Sequence, residues 1–256
     1  MTLMPRQEHP MNEMRLIVDP PARGSWNMAV DEAILRNAEE TGTPTLRFYE
    51  WNEPTLSLGY FQKYEDRWQH QASQDCNCVR RASGGGAIMH DLELTYSFVA
   101  TVHDSRSDQF TRWFDIFHET LIDVLASWSI SAHLSGNPQP GAPTDPFLCF
   151  QRRHEVDVVV DGFKICGSAQ RRHQKAILQH GSVLLHQSQA APELPGLSEL
   201  TRRNISPGKL TNAWSDAIKN KFQRSCVYKP LTSEELVAAH SIEEGKFACE
   251  AWTHKR

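Results

Sequence analysis

Between residues 156 and 186 the chain alternates apolar runs with tight-turn signals, and this stretch restricts the fold more than any other. Residues 156–160, broken only by Asp157, lead into Asp161-Gly162 and then into residues 163–169. Asp-Gly tolerates the positive φ angles that a two-residue hairpin turn requires, so the two runs predict an antiparallel hairpin. Residues 176–186 predict a further strand, with Arg171, Arg172, His173 and Lys175 as the solvated tip of the connection. A sheet made this way needs an apolar cover. Residues 108–128 supply one: Phe110, Trp113, Phe114, Phe117, Leu121, Leu125 and Trp128 fall on one face of a helix.

The rest of the chain reads as more of both element types. Trp26, Ala29, Ala33 and Ile34 repeat at helical spacing from Ser25, with Asp31 and Glu32 placed early and Gly42 as the stop. Residues 46–51 and 55–61 predict two strands joined by a turn at Asn52-Glu53-Pro54. A polar helix is expected over 64–75, strands over 78–81, 87–90 and 94–101, and a long loop over 135–145, with three prolines and two glycines. Helices close the chain near 212–222 and 233–247, the second with Ser233 as its N-cap. No repeat or composition break divides the 256 residues, a length near the upper limit for a single core. One α+β unit over residues 15–256 follows, a mixed, mainly antiparallel sheet flanked by helices, with residues 1–14 as a flexible tail.

Composition excludes several partners. With 27 Lys and Arg against 31 Asp and Glu, the net charge of −4 argues against a nucleic-acid coat, so any basic site is local. No apolar run approaches the ~20 residues of a membrane helix. Residues 1–15 lack the apolar segment of a secretory signal, so the six cysteines read as thiols of a reducing cytoplasm. Cys76 and Cys78 have no second pair at metal-ligand spacing, and no His-Glu-x-x-His occurs, so no metal is expected.

Three segments carry chemistry. Arg80-Arg81-Ala82-Ser83-Gly84-Gly85-Gly86-Ala87 runs strand, glycines, strand. Such a turn lets backbone N–H groups approach a ligand, and two arginines and the following His90-Asp91 strengthen that reading over a plain flexible turn. No helix follows and the glycine spacing is wrong for a dinucleotide fingerprint. Gly162-Phe163-Lys164-Ile165-Cys166-Gly167-Ser168 has Ser168 where a phosphate-binding loop needs lysine, which rules out nucleotide binding by that route. Spacing alone favours Lys164 as a solvated edge-strand gatekeeper over a charge aimed into a pocket. Cys149, in Pro146-Phe147-Leu148-Cys149-Phe150, reads by itself as a small inert hydrophobe. A lysine ammonium nearby changes that by favouring the thiolate, so Cys149 and Lys164 matter as a pair.

Arg80-Arg81-x-Ser83-Gly84-Gly85-Gly86-Ala87-x-x-His90-Asp91 resembles the lipoate-binding motif of the lipoate–protein ligase and octanoyltransferase family. Gly162-x-Lys164-Ile165-x-Gly167-Ser168-Ala169-Gln170 resembles its lysine motif. Arg47-Phe48-Tyr49-x-Trp51-Asn52, Thr55-Leu56-Ser57-x-Gly59-Tyr60-Phe61-Gln62 and Leu178-Gln179-His180-Gly181-Ser182 extend the likeness over nearly the whole chain. Within the family, Glu93-Leu94-Thr95-Tyr96-Ser97 and Cys149-Phe150 are most similar to the cysteine-dependent, ligase-like octanoyltransferases, as is the tail with Glu234-Glu235-Leu236 and Lys246-Phe247 to Trp252. On this likeness the accessory domain of bacterial lipoate ligases is not expected after the tail. Gly86 departs from the pattern, standing where those transferases often carry a larger residue.

The resemblance implies a biotin/lipoate protein ligase-type catalytic domain that moves octanoate from an acyl carrier protein thioester to a lysine of lipoyl domains, the first step of lipoate assembly. It implies Cys149 as nucleophile and Lys164 as its catalytic partner. Arg81, Ser83, Gly84, Gly85, Gly86, His90, Gly167, Ser168, Ala169, His180 and Gly181 would bind the acyl substrate. No cofactor is needed. Two other activities use the same motifs: ATP-dependent lipoate ligation, and amidotransfer from the glycine-cleavage H protein to dehydrogenase E2 subunits. Arg171, Arg172 and Lys175 become docking charges for these acidic carriers.

Overall fold

The structure, a computed structural model, describes residues 13–102, 109–136 and 146–256. The first half holds β1 (Glu13–Val18), α1 (Gly24–Thr41), β2 (Thr45–Tyr49), β3 (Thr55–Leu58), β4 (Asn77–Arg80), β5 (Ile88–His90), β6 (Glu93–Thr101) and α2 (Gln109–Ser127). The second holds β7 (Ala132–Leu134), β8 (Val158–Val160), β9 (Phe163–His173), β10 (Ala176–Leu184), α3 (Leu197–Thr201), α4 (Pro207–Phe222), β11 (Ser225–Tyr228), α5 (Ser233–Ile242) and α6 (Glu250–Thr253).

An eight-stranded sheet runs in the order β11-β1-β2-β6-β10-β9-β8-β7. β1 pairs in parallel with β2 and β11, and the remaining pairs are antiparallel. The predicted hairpin is present, with Asp161 at φ 46° and Gly162 at φ 80° forming the turn between β8 and β9. Helices cover both faces, so β2, β6 and β10 are buried almost throughout. On one face Phe117, Leu121 and Leu125 of α2 and Trp214 and Ile218 of α4 pack on Phe48, Tyr96 and Phe98. On the other, Met28, Ala29 and Ala33 of α1, with Ala239 and Ile242 of α5, pack on Ile17, Tyr49, Val99 and Leu178. No helix among the described residues is long and apolar enough to cross a membrane.

Several sequence expectations are corrected. The two strands joined by the turn at Asn52-Glu53-Pro54 are present, but they lie in different sheets: β3 belongs to a separate three-stranded sheet, β4-β3-β5, with its own apolar cluster. The polar helix over 64–75 is two 3₁₀ turns, Tyr64–Gln69 and Gln71–Ser73. α1 begins at Gly24 with no acidic residue in its first turn, so Asp31 is not an early helix carboxylate; it is buried and accepts hydrogen bonds from Arg47, Tyr49 and Ser97. Thr232, not Ser233, caps α5 with its side chain, and residues Glu243–Phe247 widen into a π-helical turn. β1 starts at Glu13, so Glu13 and Met14 are part of the sheet rather than the tail. Most of the proline-rich loop, residues 137–145, lies outside the described residues, as do Asp108 and the side chain of Phe110.

Candidate active site

β4 ends at the two arginines, and they take separate tasks. Arg80 points away from the glycines and donates to the carbonyls of Gly59, Gln62 and Thr253, tying the chain end to the small sheet. Arg81 folds back over the turn. Its guanidinium donates to the Ser57 carbonyl at 2.6 Å and to those of Gly84 and Gly86 at 3.1 and 2.8 Å. Burial lowers Arg81 to about 10, which still leaves it a cation at neutral pH. Gly85 adopts φ 96°, the one glycine of the run in the left-handed region, and a Cβ there would lie 3.9 Å from Cys149 Sγ and 3.6 Å from Arg81 Nη2.

The backbone just after the glycines fixes the cysteine. Ala87 N–H donates to the Phe147 carbonyl at 3.0 Å and Cys149 N–H to the Ala87 carbonyl at 2.7 Å, a short parallel bridge that ends in a 3₁₀ turn over Cys149–Gln151. All six cysteines are free. Cys166, by contrast with Cys149, is fully buried in the core, and burial pushes its thiol up.

Lys164 is not a gatekeeper. β9 is an interior strand, paired with β8 and β10, and Lys164 is 7 % exposed. Its Nζ lies 2.8 Å from the Asp157 carboxylate and 3.4 Å from the Cys149 carbonyl oxygen, which it donates to. Asp157, also buried, accepts a second bond from His154 N–H. Gly167 leaves room for the lysine head: a Cβ there would come within 2.7 Å of Nζ.

These groups line one cavity of about 230 Å³. It is walled by Arg81, Gly84, Gly85, His90, Cys149, Lys164, Gly167, Ser168, Ala169, His180 and Gly181, so the structure brings together nearly every residue singled out from sequence. Ser83 and Gly86 lie behind the wall. Ser83 is bonded to His180 Nε2 at 2.6 Å, and Gly86 packs against Arg152 and the Phe147 carbonyl. Burial lowers His180 to about 4, leaving it neutral. His90 lies between Ser57 Oγ and Glu93, each at 2.7 Å, and Trp51 stacks on it at 3.9 Å.

Sequence reasoning passed over Met28, Tyr49, Ile88, Thr95, Phe150 and Ser182, which complete the wall, and Asp157, which holds Lys164. Asp157 did leave a signal, as the one charge inside an apolar strand run. Tyr49, Thr95, Phe150 and Ser182 lie within the segments that carry the family likeness, whereas Met28 and Ile88 look like ordinary core positions. Among the described residues no group of three or more His, Cys, Asp or Glu side chains is placed to hold a metal ion.

A glycine turn from the small sheet, a cysteine and a buried lysine of the mixed sheet thus meet on one cavity. Residues 23–207 match the lipoyl protein ligase A/B catalytic domain, and the chain belongs to that family. It is a transferase of that family. The protein is similar to octanoyltransferase LipM of Brevibacillus brevis, 31 % identical over 96 % of this chain and 100 % of that one. It is also similar to octanoyltransferase LipM of Anoxybacillus flavithermus, 30 % identical over 91 % of this chain and 94 % of that one. Its fold matches a bi-partite lipoate protein ligase from Thermoplasma acidophilum, studied with its E2 lipoyl domain, at a TM-score of 0.75 with 22 % identity, covering 95 % and 96 % of the two chains.

Proposed function

We propose that the protein transfers an octanoyl group from an acyl carrier protein thioester to a lysine of lipoyl domains, through an acyl-enzyme on Cys149. The observation that carries this reading is that Cys149, Arg81 and Lys164 line a single cavity. In the first step the Cys149 thiolate attacks the donor carbonyl, a new C–S bond forms as the donor's C–S bond breaks, and the carrier leaves as its thiolate. In the second, the amine of the acceptor lysine attacks the new thioester, a C–N bond forms, and Cys149 is released. A thioester is already activated toward an amine, so no ATP enters and no cofactor is required.

The site's chemistry supports both steps. Lys164, held by Asp157, keeps a donor of positive charge beside the cysteine backbone, where it steadies charge that develops on the acyl oxygen or the leaving sulfur. The glycines let the acyl group lie against bare backbone, and each buried CH₂ contributes roughly 0.8 kcal/mol of gross binding. Arg171 lies at the edge of this site: its guanidinium donates to the Ala82 carbonyl and sits over the Tyr60 ring. It is the best placed of the predicted docking charges to meet an acidic carrier.

The test is transfer without ATP from octanoyl carrier protein to a lipoyl domain, with intact mass recorded before the acceptor is added. The expected result is one octanoyl group on the protein, absent from Cys149→Ala, and no product from that variant. Retained activity in Cys149→Ala, or a strict need for ATP and a free acid, would overturn the proposal. Octanoyl H protein, supplied alone as donor, distinguishes amidotransfer: a faster reaction with it would reassign the donor.

A further inference from the structure

Ser168 lines the cavity from β9, and its partners fix which way its proton points. His118 Nδ1 meets the carbonyl oxygen of Val156, which only accepts, so Nδ1 carries the imidazole proton. Burial lowers His118 to about 4, so its other nitrogen is a bare acceptor at neutral pH. Ser168 Oγ lies 2.7 Å from that nitrogen, Nε2, and donates to it. On the opposite side Gln170 Nε2 donates to Gln179 Oε1 at 2.8 Å, which orients the Gln179 amide. Gln179 Nε2 then donates to the Tyr96 hydroxyl at 2.7 Å. Tyr96 has its own proton left to give, and Ser168 Oγ receives it at 2.8 Å. Ser168 has therefore given away its single proton and filled one of two lone pairs. One acceptor lone pair remains on an oxygen at the cavity wall. Gly181, paired with Ser168 across β9 and β10, has no side chain to crowd that oxygen.

From this arrangement we infer that Ser168 receives an N–H of the acceptor lysine amine as it attacks the acyl-enzyme, with His118 and Tyr96 as positioning residues that keep the hydroxyl an acceptor. The inference rests on the covalent reading above. A thiolate or a carbonyl oxygen offers nothing to an acceptor lone pair, whereas an amine does. The hydrogen bond orients the nitrogen lone pair at the carbonyl carbon. As the C–N bond forms, the C–S bond breaks, and the one proton that nitrogen sheds balances the released sulfur, which ends as the Cys149 thiol. Ser168 stays neutral throughout.

Acyl-enzyme prepared without acceptor is isolated and then offered either a lipoyl domain or dithiothreitol, with loss of the acyl group followed by intact mass. Ser168→Ala is expected to lower the ratio of the lysine rate to the thiol rate about tenfold relative to the unchanged protein, whatever the rate at which the variant forms its acyl-enzyme. His118→Phe, which frees the Ser168 proton to turn into the cavity, is expected to slow the amine reaction and spare the thiol reaction as well. Equal slowing of both nucleophiles in these variants, or no slowing with the lysine, overturns the inference. Failure of the unchanged protein to form any acyl-enzyme is a separate result, and sinks the covalent reading itself.

Discussion

Lys164 and Asp157 face each other at 2.8 Å with almost no access to water, and a pair so placed is far more sensitive to losing one member than both. Lys164→Met strands a buried carboxylate and Asp157→Leu strands a buried ammonium. Each is expected to cost about 3–5 kcal/mol in denaturant unfolding. The double variant Lys164→Met/Asp157→Leu is expected to recover most of that loss while remaining inactive, which separates the pair's chemical task from its part in stability. A double variant no more stable than either single one would show that the charges are not coupled. At this scale the sequence exposed both residues but not their relation. Asp157 stood out as a break in an apolar run, and Lys164 as a lysine in an apolar strand. Spacing favoured an edge because it carries no information on whether a neighbouring strand lies outside, and β8 does.

The elements around the glycine turn meet with no space to spare. Gly59, just past β3, faces the turn so closely that a Cβ would lie 2.9 Å from the Gly85 carbonyl carbon, and backbone cannot rotate aside as a side chain does. Gly59→Ala is expected to shift Gly85 against Cys149 and lower acyl transfer about 100-fold, with the circular dichroism spectrum unchanged. Gly208→Ala in α4, where nothing lies within 4 Å of the new methyl group, is the matched control and is expected to keep full activity. Unaltered activity in Gly59→Ala would mean that the turn's position is not set by β3. Sequence periodicity found the elements with strong local signals, the β8–β9 hairpin and α2. It also found β2 and β3 but not which sheet each joins, since two short apolar runs across a Pro-containing turn look alike whether they pair together or join different sheets.

Across the whole molecule, a net charge of −4 conceals an unpaired basic edge. Arg171, Lys255 and Arg256 are exposed and gather around the Tyr60 ring, and among the described residues none of them is in an ion pair with a carboxylate. Phe61 stands beside them, 71 % exposed, and a Cβ at Gly84 in the cavity wall would touch its ring at 3.7 Å. Arg172 and Lys175, grouped with Arg171 by sequence, have other neighbours: Arg172 Nε donates to the Gln174 carbonyl, and Lys175 N–H bonds Glu39. The double charge reversal Arg171→Glu/Lys255→Glu is expected to raise KM for an acidic carrier-protein donor about tenfold at low salt. The difference should shrink as salt is raised, and KM for a small thioester such as octanoyl-pantetheine should not move. An unchanged KM for the protein donor would place the docking face elsewhere.

The sequence by itself determined the class of this protein: the two motifs, the hairpin that orients the lysine strand, the amphipathic helix that covers the sheet, and most of the cavity wall are all local patterns readable without coordinates. Only the tertiary structure decided what those residues do to one another. Cys149 becomes a neighbour of the glycine turn through a bridge to Ala87, Lys164 is buried because a third strand closes its flank, and the Ser168 hydroxyl is turned by a histidine fifty positions away. Proton direction, ion pairing and burial depend on through-space contacts between distant segments, and those contacts exist only after the sheet has assembled.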